Sequence, residues 1–146
     1  NGAGYIHKIE DFQFKPKAEE ALRKLSETDY KIIILSNQSG IGRGYFSEQD
    51  LEKFHKQMLA IMKEKGIRID GFYYCPHHPS DNCSCRKPKL GLIKKAVQDF
   101  NVNLSKSWMI GNEEKDILTG KRANTKTFLV SEKSNLLEAV KNILSS

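Results

Sequence analysis

The stretch from Cys75 to Pro88 reads Cys-Pro-His-His-Pro-Ser-Asp-Asn-Cys-Ser-Cys-Arg-Lys-Pro, and it sets the tightest limit on how this chain can fold. It holds all three cysteines and two of the four histidines. Its connector carries Pro76, Pro79, Ser80, Asp81 and Asn82, which is the punctuation of a loop. Such a segment has almost no apolar side chains to bury, and a metal would give it the order that a core cannot. Cys75 and His77 make one close pair, and Cys83 and Cys85 another. Four soft or borderline donors at that spacing suit a tetrahedral Zn²⁺. The set is closed, with no position left for water, so the ion is expected to be structural. His78 is the spare, and spacing alone leaves open which histidine ligates. The alternatives are three free cysteines, or a disulfide with one cysteine left over. An odd count fits a secreted disulfide scaffold poorly.

A chain of 146 residues is long enough to bury a proper core as one domain, spanning residues 1–146. At 38% hydrophobic and 29% charged it reads as globular rather than disordered. No apolar run approaches the length of a membrane span, and no signal peptide is visible. Cysteines grouped for metal point to the cytoplasm. The net charge of +6 is spread along the chain, and aromatics do not alternate with the basic residues. That pattern favours a small phosphorylated metabolite as partner over nucleic acid or a membrane. The expected state is a monomer.

Strand and helix signals alternate. Pro16 fits the first turn of a helix that carries Ala18, Ala21, Leu22 and Leu25 at helical spacing. Tyr30 to Leu35 is a continuous apolar, β-branched run, as in a strand buried on both faces. Ser47 with Asp50 three residues on makes a capping box. It opens a helix whose core face is Leu51, Phe54, Met58, Ile61 and Met62, and Gly66 ends it. Phe72 to Tyr74 is a short strand feeding the cysteine loop. Leu92, Ile93, Ala96, Val97 and Phe100 mark a helix. Trp108 to Ile110 and Lys126 to Val130 are strands, and Leu136 to Leu144 is a closing helix. In the first 14 residues only Tyr5, Ile6, Phe12 and Phe14 offer packing points. This order predicts an α/β fold with a mostly parallel sheet and helices on both faces. Chemistry in such sheets sits outside the carboxyl ends of the strands.

Three polar loops leave strand ends and should converge there. Ser36 to Gly44 brings a hydroxyl, the amides of Asn37 and Gln38, several glycines and Arg43. Freed backbone amides with Ser36 Oγ can hold phosphate oxygens, although an ordinary strand-to-helix turn is an equal reading. Cys75 to Lys87 ends in Arg86 and Lys87, a fork and a point charge for phosphate. Gly111 to Asp116 carries Glu113, Glu114 and Asp116. Clustered carboxylates suit Mg²⁺, yet acidic residues also favour the first turn of any helix.

In this order, Ser36-Asn37-Gln38-Ser39-Gly40, Cys75-Pro76-His77-His78-Pro79, Cys83-x-Cys85-Arg86-Lys87-Pro88 and Gly111-x4-Asp116 strongly resemble the haloacid dehalogenase superfamily phosphatases. Within that superfamily the resemblance is to the D-glycero-D-manno-heptose 1,7-bisphosphate phosphatases, and the histidinol-phosphate phosphatases share the zinc loop. It runs from about Gly4 to Val130. It implies a Rossmann-like core, Mg²⁺-dependent phosphomonoester hydrolysis and a structural zinc on Cys75, His77, Cys83 and Cys85. By position, Ser36 would bind the transferring phosphoryl group and Lys87 would neutralise it. Asn37 and Gln38 would line the substrate site, and Arg43 and Arg86 would meet the substrate's other anionic end. Asn112 and Asp116 would mark the magnesium region.

Two departures stand out. The family's first motif, Asp-x-Asp-Gly-Thr/Val, supplies the nucleophile and the general acid/base, and nothing here matches it. The resemblance implies a central strand carrying that motif just before Asn1. The usual Asp after Gly111 is Asn112, whose neutral amide would hold magnesium less tightly. The expected activity is hydrolysis of a phosphorylated sugar, preferably heptose 1,7-bisphosphate. The alternatives are a histidinol-phosphate phosphatase and a zinc-stabilised module that binds a phosphate ligand without cleaving it.

Overall fold

The computed structural model describes residues 14, 15, 17–78 and 80–146. In chain order the elements are α1 (Ala18–Ser26), β1 (Ile33–Asn37), the short α2 (Ser39–Gly42), α3 (Glu48–Glu64), β2 (Gly71–Cys75) and α4 (Gly91–Phe100). A 3₁₀ turn (Leu104–Lys106) follows, then β3 (Trp108–Gly111), α5 (Glu114–Arg122), β4 (Lys126–Leu129) and α6 (Leu136–Ser145). Pro16, and the packing points Tyr5, Ile6 and Phe12, lie outside the described residues.

The strands form two parallel pairs. β1 pairs with β2, placing Asn37 beside Cys75, and β3 pairs with β4, placing Gly111 beside Leu129. Among the described residues β1 and β3 are not hydrogen-bonded to each other. Ile32, which leads into β1, and β3 still share one core. Ala21 and Leu25 of α1 pack with Ile32 and with Leu137, Val140 and Ile143 of α6, and Trp108 and Ile110 of β3 pack against that cluster. The expectation of strands buried on both faces needs correction: no residue of β1 or β3 is fully buried. Among the described residues each strand has a single lateral neighbour, and its second edge has no described partner. The run predicted to begin at Tyr30 also starts later, at Ile33, and extends through Ser36 and Asn37.

Alternation along β2 assigns its two faces to two helices. Phe72 stacks on His55 of α3, ring centroids 4.0 Å apart, and Tyr74 donates to Glu48 at 3.1 Å. Tyr73 meets Phe100 of α4 edge-on and donates to Asp99 at 2.6 Å. Both phenols are pushed up to about 12, first by burial and then by the carboxylate each one meets. Burial alone lowers the His55 imidazole. On α3 the predicted stripe holds, with Leu51, Phe54, Met58 and Met62 buried and Ile61 half-buried. Its capping box forms from Ser47 and Asp50 as expected, and Gly66 adopts φ 78° just past its end.

Opposite the carboxyl ends of the strands, Arg68 ties the entry loops together. Its guanidinium pairs with Asp70 and donates to the carbonyls of Ser26, Thr28 and Tyr30. Asp70 in turn accepts from Ile32 N–H at 2.7 Å. Among the described residues no helix is long and apolar enough to cross a membrane.

A candidate phosphate site braced by a Cys/His cluster

The chain leaves β2 at Cys75 and returns to the strand ends at Lys87, and the loop between is tied in three ways. The first tie is the cluster itself. Cys75 Sγ lies 3.3 Å from His77 Nδ1 and 3.4 Å from Cys83 Sγ, and His77 Nδ1 lies 3.2 Å from Cys85 Sγ. All four donor atoms fall within 4.8 Å of one another. The sulfurs of Cys75 and Cys85 meet in disulfide contact, with Cα atoms 5.5 Å apart, and Cys83 is free. A disulfide accounts for two of these donors. It gives no reason for His77 Nδ1 and a third sulfur to crowd the same point. A tetrahedral ion accounts for all four, since its ligands lie roughly 3.5–3.8 Å apart along each edge. Spacing alone did not separate the two histidines, but the geometry does. His78 Nδ1 accepts from Ser80 N–H at 3.1 Å and lies 2.8 Å from Ser80 Oγ, outside the cluster.

The second tie joins the loop to β1. Gln38 N–H donates to Cys75 O at 2.7 Å. Asn37 Oδ1 accepts from Lys87 N–H at 3.0 Å, and Asn37 Nδ2 donates to Lys87 O at 3.4 Å. Gly42 sits where a methyl would run into the backbone of His77 and His78, so α2 can lie against the loop only with glycine there.

The third tie joins it to the β3–α5 corner. Lys87 Nζ donates to Asp116 Oδ1 at 2.7 Å and to Leu35 O at 3.3 Å. The two side chains are 12% and 6% exposed. Asp116 stands in the first turn of α5, and its other oxygen accepts from Glu113 N–H at 3.2 Å. A methyl on Gly111 would overlap the Asp116 carboxylate, so this corner also needs glycine. Arg122 Nη1 reaches Pro88 O at 3.4 Å, a contact for which the sequence held no signal.

The three loops therefore converge, and the structure gives several of the expected site residues specific partners. Ser36 and Asn37 are the last residues of β1, and residues 39–42 are helical, so the first loop is shorter than Ser36 to Gly44. Ser36 Oγ accepts from Gln38 Nε2 at 2.7 Å. Asn37, expected to touch substrate, has both polar atoms occupied by the Lys87 peptide groups. Arg43 is exposed, and no described residue hydrogen-bonds or ion-pairs with its guanidinium. Arg86 is half-buried, and its Nη1 is buried without a hydrogen-bond partner. A guanidinium nitrogen in that position calls for an acceptor. The magnesium region fits least well. Asp116 is engaged by Lys87, and Asn112, Glu113 and Glu114 are exposed. Among the described residues the Cys/His cluster is the one group of three or more such donors gathered closely enough to hold a metal.

Comparison with known proteins places this geometry. A family model described as polynucleotide kinase 3 phosphatase matches residues 2–137. The D-glycero-beta-D-manno-heptose-1,7-bisphosphate 7-phosphatase of Haemophilus ducreyi is 40% identical over 131 residues, covering 85% of this chain and 72% of that protein. The protein of the same name from Helicobacter pylori strain J99 is 40% identical over 128 residues, covering 87% and 74%. The crystal structure of D,D-heptose 1,7-bisphosphate phosphatase from B. bronchiseptica, complexed with magnesium and phosphate, superposes with a TM-score of 0.89. It covers 98% of this chain and 90% of its own at 23% identity, so it speaks for the fold alone. A HAD-like phosphatase from Mesorhizobium loti superposes at 0.80. The α/β architecture expected from the alternation is thus the one these solved structures share, and the chain belongs to the polynucleotide kinase 3 phosphatase family.

Proposed function

We propose that this chain is a phosphatase domain that hydrolyses a phosphomonoester of a small sugar, with D-glycero-D-manno-heptose 1,7-bisphosphate as the preferred substrate. The observation that carries the reading is the placement of Lys87. Its ammonium is nearly buried, fixed between Leu35 O and Asp116 Oδ1, and the Ser36 hydroxyl follows in the next residue of β1. Phosphoryl transfer asks mainly for alignment and for neutralisation of charge that develops on the phosphoryl oxygens. A fixed ammonium supplies the second, and the Ser36 hydroxyl can donate to one of those oxygens. Arg86, with its unpartnered nitrogen, and the exposed Arg43 suit the second anionic end of a bisphosphate. The names carried by the 40% identical relatives favour the heptose bisphosphate over histidinol phosphate.

In this reading the ion of the Cys75, His77, Cys83 and Cys85 cluster is Zn²⁺, and it stiffens the loop that carries both cations. Magnesium enters through the relative crystallised with it; in this chain the Asn112 carbonyl is the donor that Gly111-x4-Asp116 offers, and Asp116 serves Lys87. The domain acts as a single unit in the cytoplasm and as a monomer.

The test is phosphate release by the full-length protein, with magnesium present. Turnover of heptose 1,7-bisphosphate that collapses in Lys87→Met supports the reading. Release from histidinol phosphate, with none from sugar bisphosphates, reverses the substrate assignment. Tight phosphate binding without any turnover favours the ligand-binding module.

A further inference from the structure

We infer that Asn37 is a positioning residue that acts through Lys87, setting where the ammonium stands without touching the substrate. The inference deepens the phosphatase reading and rests on it.

Asn37 ends β1, and its sheet partner is Cys75, the residue at which the loop departs. The peptide that follows Asn37 donates to Cys75 O, through Gln38 N–H. The side chain of Asn37 grips the other end of the same loop, accepting from Lys87 N–H and donating to Lys87 O. One residue thus closes the base of the loop at its exit and its return. The amide uses its acceptor and a donor on one peptide pair, which fixes both the position and the rotation of the Lys87 backbone.

That grip matters because a lysine is a point charge on a flexible four-carbon stem. Its tip is held at Leu35 O within β1 and at Asp116 Oδ1 in the first turn of α5, two different elements. A tip held with a free backbone can slide; a backbone held with a free tip can swing. Held at both ends, the stem has one placement. The metal cluster cannot supply this, because it ends at Cys85, two residues before Lys87.

A substrate contact and a positioning role differ in what they change. Loss of a uniform binding contact raises KM with kcat kept, whereas a displaced charge lowers kcat. The experiment uses the full-length protein with heptose bisphosphate. Asn37→Ala is expected to lower kcat by up to about 100-fold, the size of effect a misplacement of about 1 Å can produce. KM should stay within about two-fold, and zinc content should stay that of the wild type. In a Lys87→Met background the same substitution should cost nothing further, because its route of action is already gone. Asn37→Asp keeps the acceptor for Lys87 N–H and loses the donor to Lys87 O, so its kcat should fall between wild type and Asn37→Ala.

Amide hydrogen exchange gives a readout independent of turnover. In Asn37→Ala the Lys87 amide should lose protection, and amides near Cys75 should keep theirs. A rise in KM with kcat unchanged, a full loss that persists on top of Lys87→Met, or an unchanged Lys87 amide overturns the inference. Normal turnover by Lys87→Met alone would sink the phosphatase reading instead, and the exchange measurement would still decide whether Asn37 holds Lys87.

Discussion

Asp116→Asn isolates the charge that locks the cysteine loop onto α5. The substitution is isosteric, and its amide oxygen can still accept from Glu113 N–H, so the first turn of the helix keeps its cap. What it removes is the negative partner of an ammonium whose side chain is only 12% exposed. Breaking one side of a buried ion pair costs about 3–5 kcal/mol, because the remaining charge is left uncompensated. Lys87 keeps its hydrogen bond to Leu35 O at 3.3 Å, which places the expected loss near the lower figure. For a domain near this size about 1 kcal/mol moves the midpoint by roughly 2–4 °C, so the melting temperature should fall by roughly 6–12 °C. The second half of the cycle is Lys87→Met, which removes the orphaned cation in turn. The double variant should then be more stable than the sum of the two losses predicts, with a coupling of about 2 kcal/mol or more. Urea unfolding followed by circular dichroism measures all four corners. Strict additivity, or a fall of less than about 2 °C in Asp116→Asn, would show a solvated pair. The argument that the loop is fastened to the β3–α5 corner would then fail.

Two other expectations follow from the same structure. Native protein should carry one Zn²⁺ per chain by mass spectrometry, and Cys83→Ser, which leaves Cys75 and Cys85 intact, should lose most of it; retention of full zinc content would remove Cys83 from the ligand set. His55 has its pKa lowered from 6.5 by burial, so the unfolded chain takes up a proton at higher pH than the folded one. Stability should therefore be unaffected above pH 6.5 and fall as pH drops from 6.5 toward the folded value, then level off. His55→Phe should erase that segment of the pH–stability curve, and a curve unchanged by the substitution would show that His55 is not its source.

How much of this was legible in the sequence depends on whether the determinant is local. The capping box of α3 needs only Ser47 and Asp50, and its core stripe needs only helical spacing; both could be read directly. The cysteine cluster was readable because its four donors lie within eleven consecutive residues, Cys75 to Cys85, and their chemistry narrows the possibilities. The strand ends were less readable. Ser36 and Asn37 look like loop residues, yet pairing with Tyr74 and Cys75 carries β1 through them. Propensity cannot anticipate a ladder completed by residues 38 positions away. The same limit hid the partner of Asn37. A carboxamide after a buried strand suggests a ligand contact, and only the folded chain shows it bonded to a peptide 50 residues on. The partner of Asp116 was hidden for a related reason: a carboxylate near a strand end suggests a cation, but spacing does not show that Lys87, 29 residues away, reaches it.

The ties on the loop are better seen as one chain of dependence than as separate decorations. Ordering a residue costs about 1–2 kcal/mol in backbone entropy, and the stretch from Cys75 to Lys87 buries too little apolar surface to offset that. A metal ion on the four donors would fix the stretch from Cys75 to Cys85 as a unit. That unit would still pivot about Cys75. Asn37 removes the pivot by holding Lys87 beside the strand that pairs with Cys75, and Asp116 then fixes the ammonium against the second pair of strands. The order of these steps has a consequence. Removing zinc should release both later ties, whereas removing Asn37 or Asp116 should leave the cluster filled. Metal content that fell in step with Lys87 protection across all three perturbations would contradict this hierarchy.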